Sequence, residues 1–138
     1  MFWRRTSRVR NLEIIKAHLK RLSYGYPLFV DDGFRFFVAR RCRLPPGFNV
    51  STTDVLVYIP EDYPATPPGV TKSGRVYVPP GLRFRGRRLR DVHEDVNPPD
   101  GTDFGWLCYE WVKWDPCKDD FVKFLEMVRA DLTNPPTK

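Results

Sequence analysis

The chain has 138 residues, 41% of them hydrophobic and 14% aromatic, which is enough to build the core of one domain. We expect a single domain over residues 1–138, with flexible ends at about residues 1–6 and 134–138. The net charge of +6 favours an acidic protein or a nucleic acid as partner. No run is apolar enough to cross a membrane and no secretory signal is evident, which predicts a cytoplasmic protein.

A first helix is predicted near the N-terminus, because apolar residues recur there at steps of three and four. Its apolar stripe consists of Val9, Leu12, Ile15, Leu19 and Leu22. Thr6 or Ser7 could cap its start, and Gly25 and Pro27 stand where a helix would end.

About four strands are predicted after this helix, over residues 28–30, 34–41, 53–59 and 75–78. The turn signal Asp31-Asp32-Gly33 separates the first two. Alternation in the third strand places Val55, Val57 and Ile59 on one face. Consecutive strands with helices before and after them indicate an α+β domain built on an antiparallel meander.

Residues 79–105 show no convincing periodicity and are rich in proline, glycine and arginine. A long irregular segment inside a compact domain is usually functional or mobile, and this one leads to Cys108. Asp115-Pro116 is then predicted to begin a last helix, since Asp is a favoured N-cap and Pro a favoured first residue. Asn134-Pro135-Pro136 would end that helix.

The three cysteines, Cys42, Cys108 and Cys117, are too few and too irregularly spaced for a disulfide framework. Their spacing matches no common zinc site, so we predict neither a metal nor another cofactor. Cys42 is interpreted as a core or sheet residue and Cys117 as structural.

Three motifs occur in a fixed order along the chain. Tyr63-Pro64-Ala65-Thr66-Pro67-Pro68 follows the third strand, Gly105-Trp106-Leu107-Cys108 follows the irregular segment, and Trp114-Asp115-Pro116 precedes the last helix. This order resembles the ubiquitin-conjugating fold. Two further stretches, residues 44–48 and 53–57, are similar to the prokaryotic branch of that family. The resemblance extends from about Arg8 to Leu132, and it implies a long active-site loop before Cys108.

The resemblance implies that Cys108 accepts a ubiquitin-like modifier from an activating enzyme as a thioester and transfers it to a target amine. It also implies a bacterial conjugation system of the kind that defends against phage. Such a cysteine has to be accessible and able to form a thiolate. In this family the first helix contacts the activating enzyme, and the candidate contact residues are Arg4, Arg5, Arg8, Arg10 and Lys16.

The sequence departs from the family in the residues that assist the cysteine. The usual His-Pro-Asn triplet, about ten residues before the cysteine, is replaced by Pro98-Pro99-Asp100. Asn97 and His93 are the nearest substitutes for donating to an oxyanion or bracing the loop. Asp100 is a candidate for orienting or deprotonating an incoming amine, as are Asp103 and Asp115.

Two other functions remain open on the sequence alone. A catalytically silent scaffold of the same fold would have a buried, unreactive Cys108. A nucleic-acid-binding protein would use the arginines between Arg83 and Arg90, which are interleaved with Phe84. The chain has no established nucleic-acid motif, so this second alternative ranks last.

Overall fold

The computed structural model describes residues 10–138, so Thr6, Ser7 and the candidate contact residues Arg4, Arg5 and Arg8 lie outside the described part. Within that part the chain forms two α-helices and eight short or medium strands. In chain order these are α1 (Leu12–Ser23), β1 (Leu28–Val30), β2 (Phe36–Arg43), β3 (Thr52–Tyr58), β4 (Val76–Val78), β5 (Arg83–Phe84), β6 (Arg87–Arg88), β7 (Val92–His93), β8 (Gly105–Leu107) and α2 (Phe121–Asp131).

Helix α1 begins later than predicted. Its N-cap is Asn11, whose side chain accepts a hydrogen bond from the Ile14 backbone N–H at 3.3 Å, so the cap is neither Thr6 nor Ser7. Ile15, Leu19 and Leu22 are buried as the apolar stripe predicts. Leu12 is 38% exposed, because it lies in the first turn of the helix, at the edge of the core.

The predicted meander of four strands is confirmed as part of a larger antiparallel sheet. Its strand order is β1-β2-β3-β4-β8-β7, so two strands from later in the chain extend it beyond β4. Trp106 of β8 lies between Tyr77 of β4 and His93 of β7. The residue that follows β8, Cys108, therefore lies at the end of a strand with neighbours on both sides.

Both helices pack on one face of this sheet. Val55 and Val57 of β3 and the nearby Ile59 are buried there, as alternation predicts. Phe121 and Phe124 of α2 are almost fully buried in the same core. The opposite face carries a smaller cluster, formed by Phe36, Leu56 and Tyr77 with partly buried Trp106 and Tyr58 beside them.

The segment 79–105 is more ordered than its sequence indicates. It contains β5, β6 and β7, each two residues long, which is too short for periodicity to reveal. Strands β5 and β6 pair with each other as a hairpin, and β7 pairs with β8, which lies later in the chain. The prediction of a structureless segment was therefore wrong over residues 83–93, whereas residues 94–104 do form an irregular loop.

The start of α2 was also predicted wrongly. Asp115-Pro116 forms a turn in which the Asp115 carboxylate accepts from the Cys117 N–H at 2.9 Å and the Asp119 carboxylate accepts from the Asp115 N–H at 2.8 Å. The N-cap of α2 is Asp120, which accepts from the Lys123 N–H at 3.0 Å. Several aspartates in a row make competing caps, and burial of Phe121 selects the last of them.

Candidate functional site

Cys108 lies at the end of β8 and is half-exposed. Its backbone N–H donates to the carbonyl oxygen of Asp91 at 2.8 Å, which continues the β7–β8 ladder by one residue. By the same register, Arg75 lies opposite Cys108 on the β4 side. Because side chains of facing residues point to the same side of a sheet, the thiol is flanked by a carboxylate and a guanidinium.

Cys108 opens onto a cavity of about 400 Å³, which we call the Cys108 groove. One wall is formed by residues 89–91, and the other by the end of α2 and the chain that follows it. Three acidic residues, Asp91, Glu110 and Asp131, line it together with Arg90, whose guanidinium pairs with the Asp91 carboxylate at 3.2 Å. A groove of this kind leaves the sulfur accessible and presents more negative than positive charge beside it.

The surroundings of Cys108 favour the neutral thiol. Partial burial raises its pKa, and the negative charges of Asp91 and Glu110 raise it further, while the positive charge of Arg75 acts in the opposite direction. At neutral pH the sulfur is therefore protonated, and it has to lose its proton before or during any attack on an acyl group.

Two residues near Cys108 bury polar groups without a hydrogen-bond partner among residues 10–138. The Trp106 indole N–H lacks one, and so does the Tyr109 hydroxyl by strict geometry, although, in addition to burial, the Asp131 carboxylate is close enough to raise its pKa. Burial is the main cause that raises the pKa of Tyr109, so its hydroxyl stays protonated. The Tyr109 ring packs near Phe124, with ring centres 6.2 Å apart, and this fixes the chain directly after Cys108 onto α2.

His93 lies on β7, and its ring is 5.1 Å from the Trp106 ring, centre to centre. Since Asp91 is the residue directly opposite Cys108, His93 is on the diagonal, with its Cβ roughly 7–8 Å away. Close approach of the two strands depends on Gly105, where an added Cβ would come within 3.0 Å of the Glu94 Cα atom. The structure thus brings His93 near the cysteine but in contact with an indole.

Asn97 braces the loop before Cys108. Its side-chain amide donates to the carbonyl oxygens of Phe104, at 2.9 Å, and Glu94, at 3.4 Å, and so connects the two ends of the loop 94–104. Asp100 lies near Tyr58, on the face of the sheet that carries Trp106. Burial is the main cause that raises the pKa of Tyr58 to about 12, and the negative charge of Asp100 adds to it.

The Tyr63-Pro64 motif and Trp114 contact each other. The Trp114 indole N–H donates to the carbonyl oxygen of Pro64 at 2.7 Å, and the Tyr63 ring stacks on Phe121 at 4.4 Å. These contacts fasten the segment between Cys108 and α2 to the body of the domain. The residues that carry the resemblance in sequence are therefore the ones that hold the site in place.

Of the candidate contact residues for an activating enzyme, the structure describes Arg10 and Lys16. The Arg10 guanidinium donates to the carbonyl oxygens of Phe34, at 2.8 Å, and Ile59, at 3.0 Å, so it is partly used in holding the start of α1 to the sheet. The Lys16 ammonium lies 5.2 Å from the centre of the Phe34 ring on the exposed side of α1.

The three cysteines differ in environment. Cys42 is half-buried, and burial raises its pKa to about 12, whereas Cys117 is exposed in the turn before α2. Among residues 10–138, no cluster of three or more His, Cys, Asp or Glu side chains could hold a metal ion. No helix of that part is long and apolar enough to cross a membrane.

Sequence reasoning predicted a site at Cys108 and noted Glu110 as a charged neighbour on the chain, but it missed the other two carboxylates of the groove. Asp91 becomes a neighbour of Cys108 through strand pairing and Asp131 through the packing of α2, and neither relationship has a local signal.

These features describe an α+β domain with an accessible cysteine at a strand end, between a braced loop and a packed helix. The family model that matches the chain is Prokaryotic E2 family E, over residues 12–134. The chain belongs to this family of prokaryotic relatives of the ubiquitin-conjugating enzymes, which confirms the resemblance. No curated protein and no solved structure gave a significant match.

Membership of this family supports a role in ubiquitin-like protein conjugation in general terms. It is consistent with a conjugating-type enzyme that interacts with a modifier and an activating enzyme.

Proposed function

We propose that this protein carries a ubiquitin-like modifier as a thioester on the Sγ atom of Cys108 and passes it to an amine of a target protein. The observation that carries the proposal is the position of Cys108. It is half-exposed at the end of β8, in a groove, in a chain that belongs to an E2 family. Of the other two cysteines, Cys42 is half-buried and Cys117 lies in a separate turn.

In the loading step, the Cys108 thiolate attacks the thioester carbonyl of the modifier bound to the activating enzyme. The new C–S bond forms as the C–S bond to the activating enzyme breaks, and that enzyme leaves as a thiolate. Because its pKa is raised, Cys108 first gives up a proton to water or to a groove carboxylate. Its high proton affinity also makes its thiolate strongly nucleophilic once formed.

In the transfer step, the lysine ammonium of the target first gives up a proton to water or to a groove carboxylate. The neutral amine then attacks the same carbonyl, the C–N bond forms as the C–S bond to Cys108 breaks, and the second proton of the nitrogen passes to the leaving thiolate or to water. The carboxylates of Asp91, Glu110 and Asp131 favour entry of a lysine side chain into the Cys108 groove. They take the role that the sequence suggested for Asp100. Asn97 acts through the loop that it braces, and His93 acts by packing on Trp106.

For the loading complex we propose α1 as the contact surface. The candidate contact residues are Lys16 on the helix, Arg10 just before it, and Arg4, Arg5 and Arg8 earlier in the chain. Surface charges of this kind raise the rate of association, and salt weakens their effect.

The test is loading of the purified protein by its cognate activating enzyme, modifier and ATP, followed by a non-reducing gel. We expect a shifted band that a thiol reductant removes and that Cys108→Ala lacks. Cys117→Ala is the matched control and should load normally. If the activating enzyme charges itself but the protein shows no shift, and if Cys108 also resists alkylation, the silent-scaffold function replaces this one.

A further inference from the structure

The strands β5 and β6 form a rigid hairpin that carries four arginines, and we call residues 83–88 the arginine hairpin. Its two turn residues have positive φ, 51° at Arg85 and 79° at Gly86, the turn geometry that suits a tight antiparallel hairpin. The buried Phe84 ring packs 5.2 Å from Phe48, centre to centre. The Arg85 N–H donates to the Gly47 carbonyl oxygen at 2.8 Å, so the hairpin is attached to the domain at its tip and its base.

The positive charge of the arginine hairpin is only partly neutralised. The Glu94 carboxylate lies 3.6 Å from the Arg83 guanidinium and 3.5 Å from that of Arg88. Within residues 10–138, Arg85 and Arg87 take part in no ion pair, and both are exposed. A fixed, solvent-facing pair of cations held by a buried phenylalanine is a surface ready to bind an anionic partner.

The Cys108 groove begins where the arginine hairpin ends. Leu89 and Arg90 follow the hairpin directly and line the groove. The exposed cations of the hairpin are thus followed by a groove that Arg90 shares with the carboxylates of Asp91, Glu110 and Asp131, and Arg90 forms an ion pair with Asp91 at 3.2 Å. A nucleic acid long enough to cover both the arginine hairpin and the Cys108 groove would place its phosphates against the groove carboxylates, which repel them. A polypeptide can instead present an acidic stretch to the hairpin and a lysine to the groove.

We propose that the arginine hairpin binds an acidic segment of the target protein and thereby delivers a nearby lysine to the Cys108 groove. This inference rests on the proposed carrier function, because it names the class of target for the same site. From the hairpin tip to residues 89–91 is three to five residues of chain, which spans at most roughly 10–16 Å at the rise of a strand. The acidic residues should therefore stand within about three to five positions of the accepting lysine, at the same rise per residue.

The first experiment measures binding without any modifier. The acidic peptide is fluorescent and has one lysine, followed by four glutamates that begin three positions after it. Its binding affinity is measured by fluorescence anisotropy and compared with that of the same peptide carrying glutamines in place of the glutamates. We expect R85E/R87E to bind the acidic peptide about tenfold more weakly than the unaltered protein. The matched control R40E/K72E makes the same change in net charge at exposed sites outside the hairpin, and it should bind almost normally.

The second experiment separates this inference from the carrier function. R85E/R87E should form the Cys108 thioester as fast as the unaltered protein, yet lose most of its preference for discharging the modifier onto the acidic peptide. If no variant forms a thioester, the carrier function fails, and the binding comparison still decides the hairpin's role. Thermal unfolding of both double variants shows whether the fold is intact. The single variant R87Q, a milder substitution, is measured in the same way.

Three results would overturn the inference. One is equal binding of the acidic and glutamine peptides, and another is equal loss of binding in R40E/K72E. The third is tighter binding of a single-stranded oligonucleotide with the same number of charges, which would assign the surface to nucleic acid. Binding that weakens between 0.05 and about 0.3 M salt supports the charge-based contact, since salt screens exposed charges.

Discussion

Cys108 and Asp91 face each other across the end of the β7–β8 ladder, where the Cys108 N–H donates to the Asp91 carbonyl oxygen at 2.8 Å. This pairing fixes the backbone of the cysteine and sets a carboxylate beside its sulfur. The backbone contact therefore positions Cys108. Partial burial raises the pKa of its thiol, and the charge of the Asp91 side chain raises it further, so Asp91 acts on the cysteine through two different groups.

Replacing Asp91 by Asn should separate these two effects. Partial burial still raises the pKa of Cys108, but the largest charge that raises it is removed, so the pKa should fall. The pH at which iodoacetamide alkylation reaches half its maximal rate should then move to lower values. The measurement uses the Cys117→Ala background, because Cys117 is also exposed.

Asp115→Asn is the control for Asp91→Asn, since Asp115 belongs to the turn before α2 and not to the groove. An alkylation profile for Asp91→Asn that coincides with that of the control would contradict the electrostatic account of Cys108.

The indole of Trp114 and that of Trp111 give a second, matched comparison. Trp114→Phe removes the hydrogen bond to the Pro64 carbonyl oxygen and should lower the free energy of unfolding by about 1–2 kcal/mol. Trp111 is 75% exposed, so Trp111→Phe should leave it nearly unchanged. Urea unfolding followed by circular dichroism measures both, and equal losses would show that the Trp114 bond does not contribute.

The elements that periodicity could reveal were predicted well. The apolar stripe of α1 and the alternation in β3 repeat over several residues, so Ile15, Leu19 and Val57 could be placed in the core from sequence. The two-residue strands β5, β6 and β7 could not, because pairing with a distant partner, and not the local sequence, makes them strands. Element ends failed for a related reason, since Asp115, Asp119 and Asp120 are all acceptable caps.

The residues of the candidate site likewise differ in how far the sequence could predict them. Cys108 was predicted from the motifs that surround it in sequence, and two of those motifs contact each other, since Trp114 donates to the Pro64 carbonyl oxygen. Asp91 and Asp131 were missed because they reach the groove from other elements. Asp100 was named because it stands where the family has its triplet; the structure places it near Tyr58, and its role stays a prediction.

A third prediction concerns the true start of α2. Asp120→Ala removes the N-cap bond to Lys123 and the ion pair with Arg21, and should cost about 1–2 kcal/mol of folding free energy. Asp115→Ala removes only an exposed turn contact, so it should lower the free energy of unfolding by no more than about 0.5 kcal/mol, as is usual for exposed polar contacts. Urea unfolding of the two variants checks the assignment, and the reverse order would place the cap at Asp115.

A fourth prediction follows from His18, whose Nδ1 atom lies 2.8 Å from the Tyr63 hydroxyl oxygen. Burial, with the charge of Asp120 adding to it, raises the pKa of Tyr63, so the hydroxyl stays protonated and can share a hydrogen bond with a neutral imidazole. Burial also lowers the pKa of His18, and the charge of Asp120 opposes this while that of Arg21 assists it. The folded state therefore prefers the neutral ring.

The pH dependence of stability follows from that preference. Above the usual pKa of 6.5 the ring is neutral in both states and the contact with Tyr63 is fully present. As the pH falls through 6.5, the unfolded state takes up a proton first, so stability decreases until the lower pKa of the folded state is passed. His18→Gln should therefore show a smaller fall in Tm between pH 7.5 and about 5 than the unaltered protein. Lys20→Gln, on the exposed side of the same helix, should keep the full fall, and an equal fall in all three proteins would show that His18 does not titrate with folding.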